Sequence, residues 1–229
     1  MGTNLLIRGV LAVADVVPAA GVTVPLLGPA TLKDLVTAIV PFLFIYAPVW
    51  LCHRRGVDSY AYRLSIPPFR DLAAWGGALK LAATWMGIIL VPWLLLYHGY
   101  QTLIFGMEPG LRLPADPTTL ILSQLFFVAI PEEFFYRGYL QTRLNEVFPR
   151  KFVLFGIPFS HGLWITALIF AFGHSLVVLR WWHFAIFFPG LLFGLLREKT
   201  GGILAAAFFH ALCNILVQTL DTAYGVIPP

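Results

Sequence analysis

Between Leu120 and Ile130 the chain is apolar at every position except Ser123 and Gln124, and it then reads Pro131-Glu132-Glu133-Phe134-Phe135-Tyr136-Arg137. Two adjacent carboxylates and an arginine thus lie at the end of, or inside, a segment that reads as membrane-spanning. Each charged side chain in hydrocarbon costs at least roughly 2.5–3.5 kcal/mol on insertion scales, so such groups are rare there without a role. The stretch restricts the chain to folds that bring partners to buried charge.

Composition points the same way. The 229 residues are 59% hydrophobic and only 11% charged, with a mean hydropathy of +0.82, whereas soluble domains carry about 25% charged residues. The expected fold is all-α: a single polytopic helical membrane domain over residues 1–229, with six to seven transmembrane helices around an intramembrane polar cavity. A net charge of +4 does not imply nucleic acid, because the basic residues form no stripe. Cys52 and Cys213 are too few and too far apart for a disulfide framework or a C-x-x-C metal pattern.

Six spans follow from the apolar runs: 35–52, 77–97, 118–145, 159–178, 184–196 and 203–220. Residues 1–34, interrupted by Arg8, Asp15, Pro18 and Pro25, read as an interfacial segment or an additional membrane segment, and they lack the basic start of a cleavable signal. Pro67-Pro68, Pro109-Gly110 and Pro149-Arg150-Lys151 mark turns between spans. Arg180-Trp181-Trp182 reads as an interfacial aromatic anchor. This arrangement puts ten basic residues, Arg54 to Lys199, on one side and only Arg8, Lys33, Arg112 and Arg180 on the other. The first side is cytoplasmic by the positive-inside rule.

The polar groups left at membrane depth are Glu132, Glu133 and Arg137 on the third span, His174 on the fourth, and His210 with Asn214 on the sixth. At 1.5 Å per residue all fall within a core about 30 Å thick, at depths that allow them to meet. Glu133 and Arg137 are four residues apart with the acid first, the favourable order for a helical ion pair. Glu132, about 100° further round the helix, is left to face the cavity as a general base. His210 and Asn214 share one helix face by the same spacing. A bland alternative is that the charges bolt helices together, with His210 and Asn214 as interhelical hydrogen-bond partners.

These residues resemble the CPBP family of intramembrane proteases, also called the ABI family, which includes the CAAX prenyl endopeptidases. Its E-E-x-x-x-R motif reads as Glu132 to Arg137, its F-x-x-x-H motif as Phe170 to His174, and its H-x-x-x-N motif as His210 to Asn214. Gly190-Leu191-Leu192-Phe193-Gly194 and Lys199-Thr200-Gly201-Gly202 have the family look as well. The similarity covers residues 118–220, the catalytic core it implies. It implies peptide hydrolysis without an obligatory metal or other cofactor. In it, Glu132 activates water with the help of His174, Glu133 and Arg137 shape the site, and Phe170 packs beside it. His210 and Asn214 donate hydrogen bonds to the oxyanion of the tetrahedral intermediate.

Other chemistries lack their residues. There is no H-E-x-x-H or G-x-S-x-G. None of the six aspartates falls in one of the six spans, and Cys213 reads as a buried structural cysteine. Zinc held by Glu132, His174 and His210 is the runner-up cofactor reading. The expected partners are a membrane-associated peptide or protein, cut near its C-terminal part, and the lipid bilayer. The expected location is a bacterial cytoplasmic membrane. A non-catalytic scaffold or immunity protein of the same fold is the alternative function, and a proton-coupled transporter a third, for which no repeated halves are evident.

Overall fold

The computed structural model describes residues 18–24, 28–58, 66–177 and 181–227. The described residues begin with a hairpin of β1 (Pro18–Val24) and β2 (Gly28–Thr31), so these two stretches are strand and not helical span. The remainder of the segment read as interfacial lies outside the described residues, as do Arg63, Arg180 and the side chains of Trp181 and Trp182. Six helices follow: α1 (Leu32–Arg54), α2 (Leu72–Gly99), α3 (Pro117–Val147), α4 (His161–Val177), α5 (Phe187–Thr200) and α6 (Leu204–Ala223). They fall on the six expected spans. Among the described residues, three stretches are long and apolar enough to cross a membrane, namely Leu72–Ile104, Pro117–Val147 and Leu204–Ala223.

Local sequence sets the ends. The Asp71 carboxylate accepts from Ala74 N at 3.0 Å to start α2, and Asp116 accepts from Thr119 N at 3.0 Å to start α3, with Pro117 at the first helical position. Gly201, at φ 72, closes α5 in the left-handed conformation that only glycine enters freely, and α6 begins three residues later. Between α3 and α4 the chain forms a second hairpin, β3 (Phe152–Leu154) and β4 (Ile157–Phe159), where the sequence suggested only a basic turn.

Helix α3 is not a plain α-helix. Ser123–Ala129 and Phe134–Leu140 are π-helical, and the α-helical turn Ile130–Glu133 lies between them. Pro131 lacks the N–H that an α-helix would use there, and wide turns of this type concentrate at functional sites. Around this segment α2 packs on α6, α4 on α5, and α5 on α6. The core they share holds Tyr136, Phe170, Phe193, Leu196, Phe209 and Cys213.

Candidate active site

The central α-helical turn of α3 presents its two carboxylates to different partners. Glu133 is fully buried, and its Oε1 accepts from Arg137 Nη1 at 2.8 Å. Arg137 is also fully buried and donates through Nη2 to the Gly190 carbonyl at 3.0 Å. Its guanidinium lies over the rings of Phe170 at 4.4 Å and Phe193 at 5.0 Å, a favourable placement for a cation cut off from water. Gly190 permits this approach, since a Cβ there would stand 3.3 Å from Phe170 Cδ1 and 3.4 Å from Arg137 Nη2.

The same Glu133 oxygen lies 2.9 Å from His210 Nδ1. A carboxylate paired with arginine can only accept, so Nδ1 carries the proton and His210 turns Nε2 the other way. Phe193 stacks on the ring at 4.6 Å with an interplanar angle of 15° and holds its plane. His174 is fixed in a parallel manner: its Nδ1 lies 2.9 Å from the Phe170 carbonyl, which again only accepts, and its ring packs against Phe170 at 4.3 Å.

Both Nε2 atoms are close to Glu132. Its Oε2 lies 3.6 Å from His174 Nε2 and 3.9 Å from His210 Nε2, too long for direct hydrogen bonds. Among the described residues Oε2 has no hydrogen-bond partner although the atom itself is buried. Glu132 is 16% exposed and His174 25%, against 2% for His210, so the group is reached from the Glu132–His174 side. In the neutral tautomers, three acceptor atoms enclose one position. A group with two protons to donate, such as water, can serve two of the three; a proton on either Nε2 turns that ring into a donor.

Asn214 is positioned by a residue not selected from the sequence. Its Nδ2 donates to Gln124 Oε1 at 2.9 Å, leaving one amide proton and the amide oxygen. Gln124 is eight residues before Glu132, about 80° out of phase in a plain α-helix. The intervening π-helical turns slow the rotation and bring the two towards a common face. The signal available was the polar pair Ser123-Gln124 inside an apolar run.

Below the carboxylates a polar ladder registers α3 on α5. Arg137 donates to the Gly190 carbonyl, and one helical repeat on, Gln141 Nε2 donates to the Gly194 carbonyl at 3.1 Å and to Glu198 Oε1 at 2.7 Å. Asn145 Nδ2, Arg197 and Arg150 also reach Glu198, at 2.6, 2.9 and 3.0 Å. Burial pushes the Glu198 carboxyl up, but neighbouring Arg197 and these donors outweigh it, and the group is held below the usual carboxylate range.

A cavity of about 370 Å³ between the start of α2 and the α5–α6 turn, lined by Ala74, Gly77, Leu81 and Gly201–Ala205, contains none of these groups. Among the described residues no set of three His, Cys, Asp or Glu side chains is arranged to hold a metal ion. His161, the first residue of α4, is exposed and packs edge-on against Phe148 and Phe152, apart from the cluster. Cys213 is buried in the core.

The fold is that of an all-α integral membrane protein, and the site is a buried cluster of carboxylates, histidines and one arginine. Residues 114–216 match the family model described as Type II CAAX prenyl endopeptidase Rce1-like, in agreement with the CPBP/CAAX resemblance carried by the motifs. No curated protein and no solved structure gives a significant match. The family so described is one of endopeptidases, enzymes that hydrolyse peptide bonds.

Proposed function

We propose that this protein is a multi-pass endopeptidase of the bacterial cytoplasmic membrane. It cuts a membrane-associated peptide or protein near its C-terminal part, by glutamate-activated water and without a resident metal. The observation that carries the reading is the approach of His174 Nε2 and His210 Nε2 to the unpartnered Oε2 of Glu132, at 3.6 and 3.9 Å. Water donating to Glu132 and His174 is held with its oxygen lone pairs free to attack a carbonyl carbon. Glu132 takes the proton as the C–O bond forms and returns it to the leaving amine as the C–N bond breaks.

The oxyanion then needs donors. Asn214 supplies its second amide proton. His210, held at Nδ1 by the Glu133 carboxylate, turns Nε2 towards the same position. Glu133 and Arg137 act through His210 and are positioning residues. Phe170 supplies the ring beneath Arg137 and His174 and the carbonyl that fixes the His174 tautomer.

Purified protein in detergent, incubated with a library of membrane-anchored C-terminal peptides, should release C-terminal fragments, and Glu132→Ala and His174→Ala should not. Equal cleavage by both variants would remove the assignment. Activity should survive exhaustive chelation with no metal found by elemental analysis; loss on chelation and recovery with zinc selects the metal-dependent route. Normal biological function of Glu132→Gln would select the scaffold or immunity reading.

A further inference from the structure

The hairpin of β3 and β4 is an unusual object for the end of a membrane helix. Its outer strand exposes apolar side chains, with Val153 69% and Phe155 75% exposed and Leu154 also open. Its inner strand is buried: Ile157 and Phe159 pack on Leu163 of α4 and Leu195 of α5. The two-residue turn is Phe155-Gly156, at φ 52 and 73. A two-residue turn with both φ values positive is ordinarily built from Asn-Gly or Asp-Gly. Phe155 is the only non-glycine residue with positive φ among those described, so the turn keeps an aromatic tip in a conformation that disfavours it.

The tip packs beside α2, well past the start of that helix. Phe155 meets Trp85 edge-on at 6.4 Å, and Trp85 is thirteen residues past Leu72, about 20 Å along α2. The base of the hairpin is basic. Lys151 is exposed, and Arg150 donates to Glu198 at the end of α5. From Lys151 to Phe155 an extended strand covers about 13 Å, nearly one leaflet of a hydrocarbon core about 30 Å thick. Pairing satisfies part of the backbone, and Pro158 has no N–H to leave unmatched. The exposed apolar surface is continuous with α2, one of the helices able to cross the membrane.

We propose that the β3–β4 hairpin is a membrane wedge: Val153, Leu154 and Phe155 lie among the acyl chains of one leaflet, with Arg150 and Lys151 at its headgroups. Only Ser160 separates β4 from α4. The wedge therefore fixes the depth of the helix that carries His174.

Nitroxide accessibility in the full chain tests this, after reconstitution into phosphatidylcholine–phosphatidylglycerol vesicles. The two cysteines present, both buried, are first replaced by alanine. Labels are then placed by Val153→Cys, Phe155→Cys and Lys151→Cys. The expected result is a collision rate with oxygen severalfold above that with a water-soluble nickel chelate at 153 and 155, and the reverse at 151. Since Phe155→Cys alters the positive-φ site, the label at 153 reports with the turn intact. A nickel rate equal to or above the oxygen rate at 153 would place the tip in water and overturn the wedge. Low rates for both reagents there would place it against protein and overturn it equally.

Discussion

Exchanging the two glutamates for glutamine, one at a time, should give opposite phenotypes, although they are neighbours in the chain. Glu133 shares one oxygen between Arg137 and His210, at 2.8 and 2.9 Å, in a fully buried position. Glu133→Gln removes the only carboxylate hydrogen-bonded to Arg137 among the described residues, leaving that cation the Gly190 carbonyl, three aromatic rings and a neutral amide in place of its counter-charge. Breaking one side of a buried pair costs about 3–5 kcal/mol, a large share of a total stability of about 5–15 kcal/mol. Glu132 Oε2 makes no hydrogen bond and its side chain is partly open, so Glu132→Gln should stay within about 0.5 kcal/mol of the parent stability. The same change removes the base and should lower the cleavage rate by about 10²–10⁴-fold.

Reversible unfolding of the purified protein in mixed micelles, titrated with a denaturing detergent, reads the first effect; initial cleavage rates read the second. The reasoning is refuted if Glu132→Gln destabilises as much as Glu133→Gln, since the carboxylates would then be interchangeable supports. It is refuted equally if Glu133→Gln unfolds with the parent protein, because Arg137 would then have needed no counter-charge.

Three other perturbations probe the surroundings. Gly190→Ala places a methyl group 3.3–3.4 Å from Phe170 and Arg137 and should cost about 1–3 kcal/mol of overpacking, with activity falling alongside; the same unfolding titration measures it. Gln124→Leu deprives the Asn214 amide of its acceptor and should reduce kcat by about tenfold, corresponding to about 1.4 kcal/mol of lost positioning, while KM is little changed and Gln124→Glu restores part of the rate. The Glu198 carboxyl is held below its ordinary range in the folded chain. Its stabilisation is therefore present above the unfolded value and is lost as pH falls through the folded one; the drop in unfolding midpoint below about pH 5 should be smaller in Glu198→Gln.

The helices and most of the cluster were legible because their signals are local. Apolar runs mark spans whatever the neighbours do, and four-residue spacing places Glu133 against Arg137 before any tertiary contact is known. What escaped depends on packing. Gln124 is out of phase with Glu132 in an ordinary helix, and only the π-helical turns of α3 bring it round to Asn214. The second hairpin was hidden because Phe152 to Phe159 lacks the Asn-Gly or Asp-Gly that announces a tight turn and reads as apolar sequence running into the next helix.

Counting charge gives the proposed mechanism a distinct role for each glutamate. Arg137 is balanced by Glu133 within hydrogen-bond distance, which leaves the carboxylate of Glu132 as the excess charge of the cluster. Two imidazoles approach it, each with Nδ1 already occupied. An excess negative charge in a low-dielectric site is costly, and three groups able to take one proton surround the same position. Attack by water on a carbonyl releases one proton at that position and creates an oxyanion beside it. In the proposed mechanism Glu132 takes that proton, and the amide of Asn214 donates to the oxyanion. A pair of carboxylates with no arginine would carry a second uncompensated charge, and an arginine with one carboxylate would leave no base. Glu133 and Arg137 cancel each other so that Glu132 can gain and lose a proton against an otherwise neutral background.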